Sequence, residues 1–122
     1  MSSVDVSIVD DDEAVRVALE GFIRSLGYTA DSYSAAEDFL SAAAFRSCNC
    51  LILDVQMPDI SGLELQDRLR QQGIELPIIF ITAFPDSAQR EKALAAGALA
   101  FLSKPFDISM MVSLLEGVLS RA

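Results

Sequence analysis

Apolar residues run along this chain in two alternating rhythms: short unbroken runs, and longer stretches spaced at three and four. The runs at 4–9, 50–53, 78–81 and 98–102 read as strands, because an aliphatic run bounded by polar residues marks a strand buried on both faces. Residues 28–33 alternate enough to make another. After Asp12 and Glu13, the positions Val15, Ala18, Leu19, Phe22, Ile23 and Leu26 follow helical spacing, with Arg16, Glu20 and Arg24 on the opposite face and Gly27 as the stop. Ser34 is a suitable N-cap, with Glu37 at the capping-box position, for a helix carrying Ala35, Ala36, Phe39, Leu40, Ala43 and Ala44. A loop at 55–61, with Gly62 just beyond it, leads into a helix at 63–72 closed by Gly73. Pro77 opens the next strand, and the turn Phe84-Pro85-Asp86-Ser87 offers two N-caps for a helix at 88–96 that stops at Gly97. A last helix carries Met111, Leu114, Leu115, Val118 and Leu119. Five strand-helix units joined by short connections predict an α/β fold: a doubly wound, five-stranded parallel sheet with right-handed crossovers.

This pattern assigns a place to the polar residues that follow the runs. Asp10 and Asp11 follow the first strand, Asp54 the third, Thr82 the fourth, and Ser103-Lys104-Pro105 the fifth. Ligands of open α/β sheets sit outside the carboxyl ends of the strands, so three acids, a hydroxyl and an ammonium group are expected to converge there. Carboxylates forced together either take up protons or hold a cation, and an oxygen-only set suits a hard ion such as magnesium. Asp54 ends a strand expected to be central, which makes it the best candidate nucleophile. A carboxylate can accept a phosphoryl group, and a divalent ion and Lys104 would neutralise the transferred oxygens.

Composition narrows the alternatives. The 122 residues suffice for one domain, residues 1–122, and no repeat or linker marks a second. A net charge of −9 repels phosphate backbones, so direct nucleic-acid binding by this chain is not expected. No apolar stretch reaches the roughly 20 residues needed to span a bilayer. Met1-Ser2-Ser3 leads into the first strand without a basic leader, so a cytoplasmic location is expected. Cys48 and Cys50 read as reduced, packed thiols, and with no histidine in the chain neither a zinc site nor a Cys-His pair can be assembled.

Val9-Asp10-Asp11, the run from Leu53 through Met57-Pro58-Asp59-Ile60-Ser61-Gly62, Ile81-Thr82-Ala83 and Lys104-Pro105-Phe106 together resemble the receiver domain of two-component response regulators. The resemblance is closest to the FixJ-like regulators, which carry a LuxR-type helix-turn-helix output domain, and it covers essentially the whole chain. It implies a flavodoxin-like sheet of order 2-1-3-4-5, phosphoryl transfer from a sensor histidine kinase to Asp54, and Mg2+ (or Mn2+ in its place) on Asp10, Asp11, Asp54 and the Gln56 main-chain carbonyl. Lys104 would contact the phosphoryl oxygens, Thr82 and Phe101 would switch, and the Lys104-Pro105 bond would be cis. The face of the fourth helix, fifth strand and fifth helix would engage an output domain lying outside this chain, or a second copy as a phosphorylation-dependent homodimer. The only chemistry implied is on the protein itself, so it would not be an enzyme. Pro85, where related sequences often have glycine, stiffens the loop after Thr82, and Phe84 before it is bulky. Asp12 is read as a helix-start residue. Three other readings compete. A phosphohydrolase would want an acid where Gln56 stands, a flavin carrier would not place Asp10-Asp11-Asp12 in its phosphate loop, and a docking module independent of phosphorylation would not need all five site positions.

Overall fold

The computed structural model describes residues 4–119; the leader reading of Met1-Ser2-Ser3 and the last three residues lie outside it. Five strands, β1 (Val4–Val9), β2 (Ala30–Tyr33), β3 (Cys48–Asp54), β4 (Ile78–Thr82) and β5 (Ala100–Ser103), alternate with α1 (Glu13–Ser25), α2 (Ala36–Ser41), α3 (Gly62–Gln71), α4 (Ser87–Ala95) and α5 (Ile108–Leu119). All pairings are parallel and the order is β2-β1-β3-β4-β5, as the resemblance implied.

Side chains alternate across the sheet and so divide the core in two. Leu51, Leu53 and Phe80 pack with Phe39, Leu65, Leu69, Ala93 and Phe101 beneath α2, α3 and α4. Ile8, Ile52, Ile79 and Ile81 pack with Leu19, Ile23, Met111 and Leu115 beneath α1 and α5. Each such fully buried side chain contributes about 1.5–3 kcal/mol, so the central strands are the rigid part of the molecule. Register then brings the polar strand ends together: Val9 pairs with Leu53, Asp54 with Ile81, and Thr82 with Ser103.

The second helix departs from the expectation. Ala35, not Ser34, is its N-cap, with no side-chain cap bond, and the helix ends at Ser41. Ala43 then turns left-handed (φ 54°) into a 3-10 turn, Ala44–Arg46. Phe39 and Phe45 account for the break. Six helical steps of 100° would point the two rings in different directions, yet both are buried in one cluster with their centroids 6.2 Å apart. Strand starts also differ. β2 begins at Ala30, β3 at Cys48 and β5 at Ala100, because the Ala98 amide is used by the Ala93 carbonyl in closing α4. Asp86 supplies the α4 cap through the Ala88 and Gln89 amides. Both cysteines are buried, and burial raises their thiol pKa values, that of Cys50 to about 12. The packed-thiol reading therefore fits.

Candidate functional site

The site grows out of three strand ends and one loop. Directly after β1 come Asp10, which is fully buried, and Asp11, which is exposed. β3 delivers Asp54, 5% exposed. One carboxylate oxygen from each of Asp10, Asp11 and Asp54 lies within 4.8 Å of the other two. After β5, Lys104 reaches back and donates from Nζ to Asp10 Oδ2 at 2.9 Å, with Asp54 Oδ2 3.8 Å away. The Lys104-Pro105 bond is cis.

The three acids are held very differently. The Asp12 amide donates to Asp10 Oδ1 (2.8 Å), and Arg16 Nη1 donates to the Asp10 main-chain oxygen (2.8 Å). Asp10 is therefore fixed at both carboxylate oxygens and at its carbonyl. Asp54 has one hydrogen bond, from the Gln56 amide to Oδ1 at 3.2 Å, and its Oδ2 faces Lys104 without a hydrogen bond among the described residues. Burial, and next the charge of Asp10, push its carboxyl from 3.8 up to about 6, against the opposing pull of Lys104. Burial alone would lower the Lys104 ammonium, but the Asp10 hydrogen bond and the charge of Asp54 outweigh it and hold the group above the ordinary lysine value.

These shifts predict a pH dependence. The folded chain protonates Asp54 at a higher pH than the unfolded chain does, so the buried carboxylate costs stability above about pH 6, and that cost fades as pH falls toward about 4. In metal-free buffer, urea unfolding of Asp54→Asn is expected to show a gain over the native chain on the order of 2 kcal/mol near neutral pH. That gain should shrink steadily through the window. A difference that stays constant across it would mean the carboxyl is not shifted.

Thr82 is fully buried, and its hydroxyl oxygen accepts the Phe84 amide at 3.1 Å, fastening the loop before α4. Phe101 is 9% exposed and packs on Phe80 with ring centroids 6.0 Å apart, whereas Phe84 is 70% exposed. Asp12 caps α1 through the Ala14 amide, the helix-start role expected of it. Two residues were not singled out from the sequence. Arg16, placed on the solvent face by periodicity, folds back onto the Asp10 carbonyl. Gly62 was read only as a loop signal just beyond 55–61, but a Cβ there would stand 2.3 Å from the Asp54 main-chain oxygen. Its position eight residues after Asp54 was visible; that the two meet was not.

The fold and this acidic cluster define a class. Residues 6–116 match the response regulator receiver domain, and the chain belongs to that family. It is 40% identical over 117 residues to the response regulator protein TodT of Pseudomonas putida, covering 96% of this chain and 52% of TodT. It is 35% identical over 120 residues to the transcriptional regulatory protein FixJ of Azorhizobium caulinodans, covering 98% of this chain and 57% of FixJ. The crystal structure of a response regulator receiver protein from Burkholderia phymatum superimposes with a TM-score of 0.82 at 44% identity, covering 98% of each chain. The chain spans about half the length of the curated relatives it matches. Among the described residues no helix is long and apolar enough to cross a membrane.

Proposed function

We propose that this chain is a phosphorylation-controlled signalling domain in which Asp54 accepts a phosphoryl group from the phosphohistidine of a sensor kinase. The observation that carries this is the convergence of three carboxylates within 4.8 Å beside the Lys104 ammonium, at the carboxyl edge of the sheet. Among the acids, only Asp54 combines burial with a carboxylate oxygen free of hydrogen bonds among the described residues. In the transfer, the phosphorus–nitrogen bond of the donor breaks, a phosphorus–oxygen bond forms to Asp54, and the imidazole leaves with a proton from solvent.

The donor set is oxygen-only and rich in charge, which suits a hard divalent ion. Asp10, Asp11, Asp54 and the Gln56 carbonyl would hold Mg2+ or Mn2+, and the ion when bound neutralises charge on the transferring phosphoryl oxygens. Lys104, 3.8 Å from Asp54 Oδ2, supplies a second positive charge, and its raised pKa keeps it protonated throughout the physiological range. The new dianion then draws the Thr82 hydroxyl away from the Phe84 amide, and Phe101 responds. The face made by α4, β5 and α5 changes shape for its partner.

That partner is an output domain outside this chain. The relatives that this chain half spans include a transcriptional regulatory protein, which supports a helix-turn-helix DNA-binding output. The same face serves a phosphorylation-dependent homodimer. At −9 net charge, this domain itself does not bind DNA. It acts in the cytoplasm, where the kinase presents its phosphohistidine, and its chemistry is confined to its own phosphorylation and dephosphorylation.

Intact-mass analysis after incubation with acetyl phosphate tests this reading. One phosphoryl adduct in Mg2+ and none in EDTA is the expected result. A native chain that stays unmodified in Mg2+ would leave only a docking module.

A further inference from the structure

α4 is lightly held. Ala93 is the only buried residue among its nine, and Gln89 on the same helix has a buried side-chain oxygen with no hydrogen-bond partner. Among the described residues, one side-chain hydrogen bond ties α4 to another element: Gln66 Nε2 on α3 donates to the Ala93 main-chain oxygen at 3.1 Å. Gln66 is 3% exposed and lies on the buried face of α3 with Gly62, Leu65 and Leu69. An apolar side chain would suit that position without needing a partner, so the amide is there for its bond. The Ala93 carbonyl already accepts the Ala98 amide at 3.0 Å. Gln66 therefore takes up the second acceptor position and grips α4 near its end.

The other end of α3 lies against the candidate phosphoacceptor. The Gly62 amide donates to the Val55 oxygen at 2.9 Å, and the Gly62 Cα sits so close to the Asp54 main-chain oxygen that no side chain fits between them. Gly62 and Gln66 are four residues apart and so share one face of one rigid turn. Beside Gln66, an open groove of about 560 Å³, bordered by Leu69, Ile74, Leu76 and Leu99, runs along the end of α4.

We propose that Gln66 is a positioning residue that couples α4 to Asp54 through α3, along a line separate from Thr82 and Phe101. The proposal rests on the reading of Asp54 as phosphoacceptor. When its carboxylate takes up a phosphoryl group, the Asp54 main chain presses on the Gly62 end of α3, and Gln66 passes the displacement to the Ala93 carbonyl. Among the described residues, α4 has no other side-chain hydrogen bond to a neighbouring element, only packing around Ala93.

The test is hydrogen exchange, read by mass spectrometry on peptides covering residues 87–99, for the native chain and for Gln66→Met, which keeps the volume and removes the donor. Each is measured before and after loading with acetyl phosphate and Mg2+, and the adduct is read by intact mass in the same samples. Before loading, loss of one net hydrogen bond is expected to raise α4 exchange roughly fivefold. Gln66→Met should load to the same extent as the native chain, with the loading-dependent change at α4 reduced to less than about half, since only the second line remains. Equal α4 exchange in the two unloaded proteins, or an equal response to loading, overturns the proposal. A native chain that takes no adduct overturns the phosphoacceptor reading instead, and the unloaded comparison still decides whether Gln66 holds α4. Should Gln66→Met lose its circular dichroism spectrum, Gln66→Leu replaces it in the same comparison.

Discussion

Asp54→Asn is expected to abolish the phosphoryl adduct completely, while Mg2+-free folding is retained. The other acids are not substitutes. Asp10 is fully buried, with one carboxylate oxygen bound by the Asp12 amide and the other by Lys104 Nζ, so a phosphorus atom has no approach to it. Asp11 is exposed and no hydrogen bond orients its carboxylate among the described residues, so it lacks the fixed geometry on which phosphoryl transfer depends. In Asp54 the two requirements meet: Oδ1 is aimed by the Gln56 amide, and Oδ2 faces the lysine at 3.8 Å. The amide of asparagine retains the shape but is not a nucleophile toward phosphorus. Intact mass after acetyl phosphate treatment gives the answer directly. An adduct of normal extent on Asp54→Asn would move the acceptor to another residue and undo the assignment.

Gly62→Ala is expected to cause the largest loss of stability of any glycine-to-alanine substitution in this chain. The added Cβ would stand 2.3 Å from the Asp54 carbonyl oxygen and 3.1 Å from both the Asp54 carbonyl carbon and the Val55 Cα. All three are main-chain atoms, so relief requires moving either α3 or the end of β3, a central strand. Overpacking of this kind costs about 3 kcal/mol, and in a domain of this size that lowers the unfolding midpoint by roughly 10 °C. Gly117→Ala on α5 is the matched control, since its Cβ meets nothing within 4 Å and alanine is the better helix former. It should leave the midpoint unchanged or raise it slightly. Thermal unfolding followed by circular dichroism compares the two, and equal midpoints would mean that α3 does not bear on the Asp54 main chain. The same substitution displaces the Asp54 carbonyl, so phosphoryl uptake should fall together with stability.

Much of the site was legible because each of its residues follows an apolar run. Asp10, Asp54 and Thr82 close or directly follow strands whose burial on both faces leaves a plain hydrophobic signature, and a parallel sheet aligns those ends at one edge. Lys104 was legible only in that context, since a lysine before a proline is otherwise a solvated charge. Ser34 was misjudged as a cap by one residue, since the helix starts at Ala36 with Ala35 as a cap that uses no side chain, and its early end at Ser41 was missed because the burial of Phe39 and Phe45 in one cluster is a tertiary contact. Arg16 was misjudged because helical periodicity registers which face a residue occupies and not how far a long side chain can fold back.

What the sequence by itself determined is therefore the set of elements, their parallel arrangement and the identity of the groups at one sheet edge, because apolar spacing is written residue by residue. Tertiary structure alone decided how those groups are held: Asp10 locked from three sides, Asp54 left with an open oxygen, Gly62 pressed on its carbonyl, and α4 resting on one buried alanine and one amide. Those distinctions arise from contacts between residues far apart in the chain. They depend on distances of a few ångströms that no local pattern encodes.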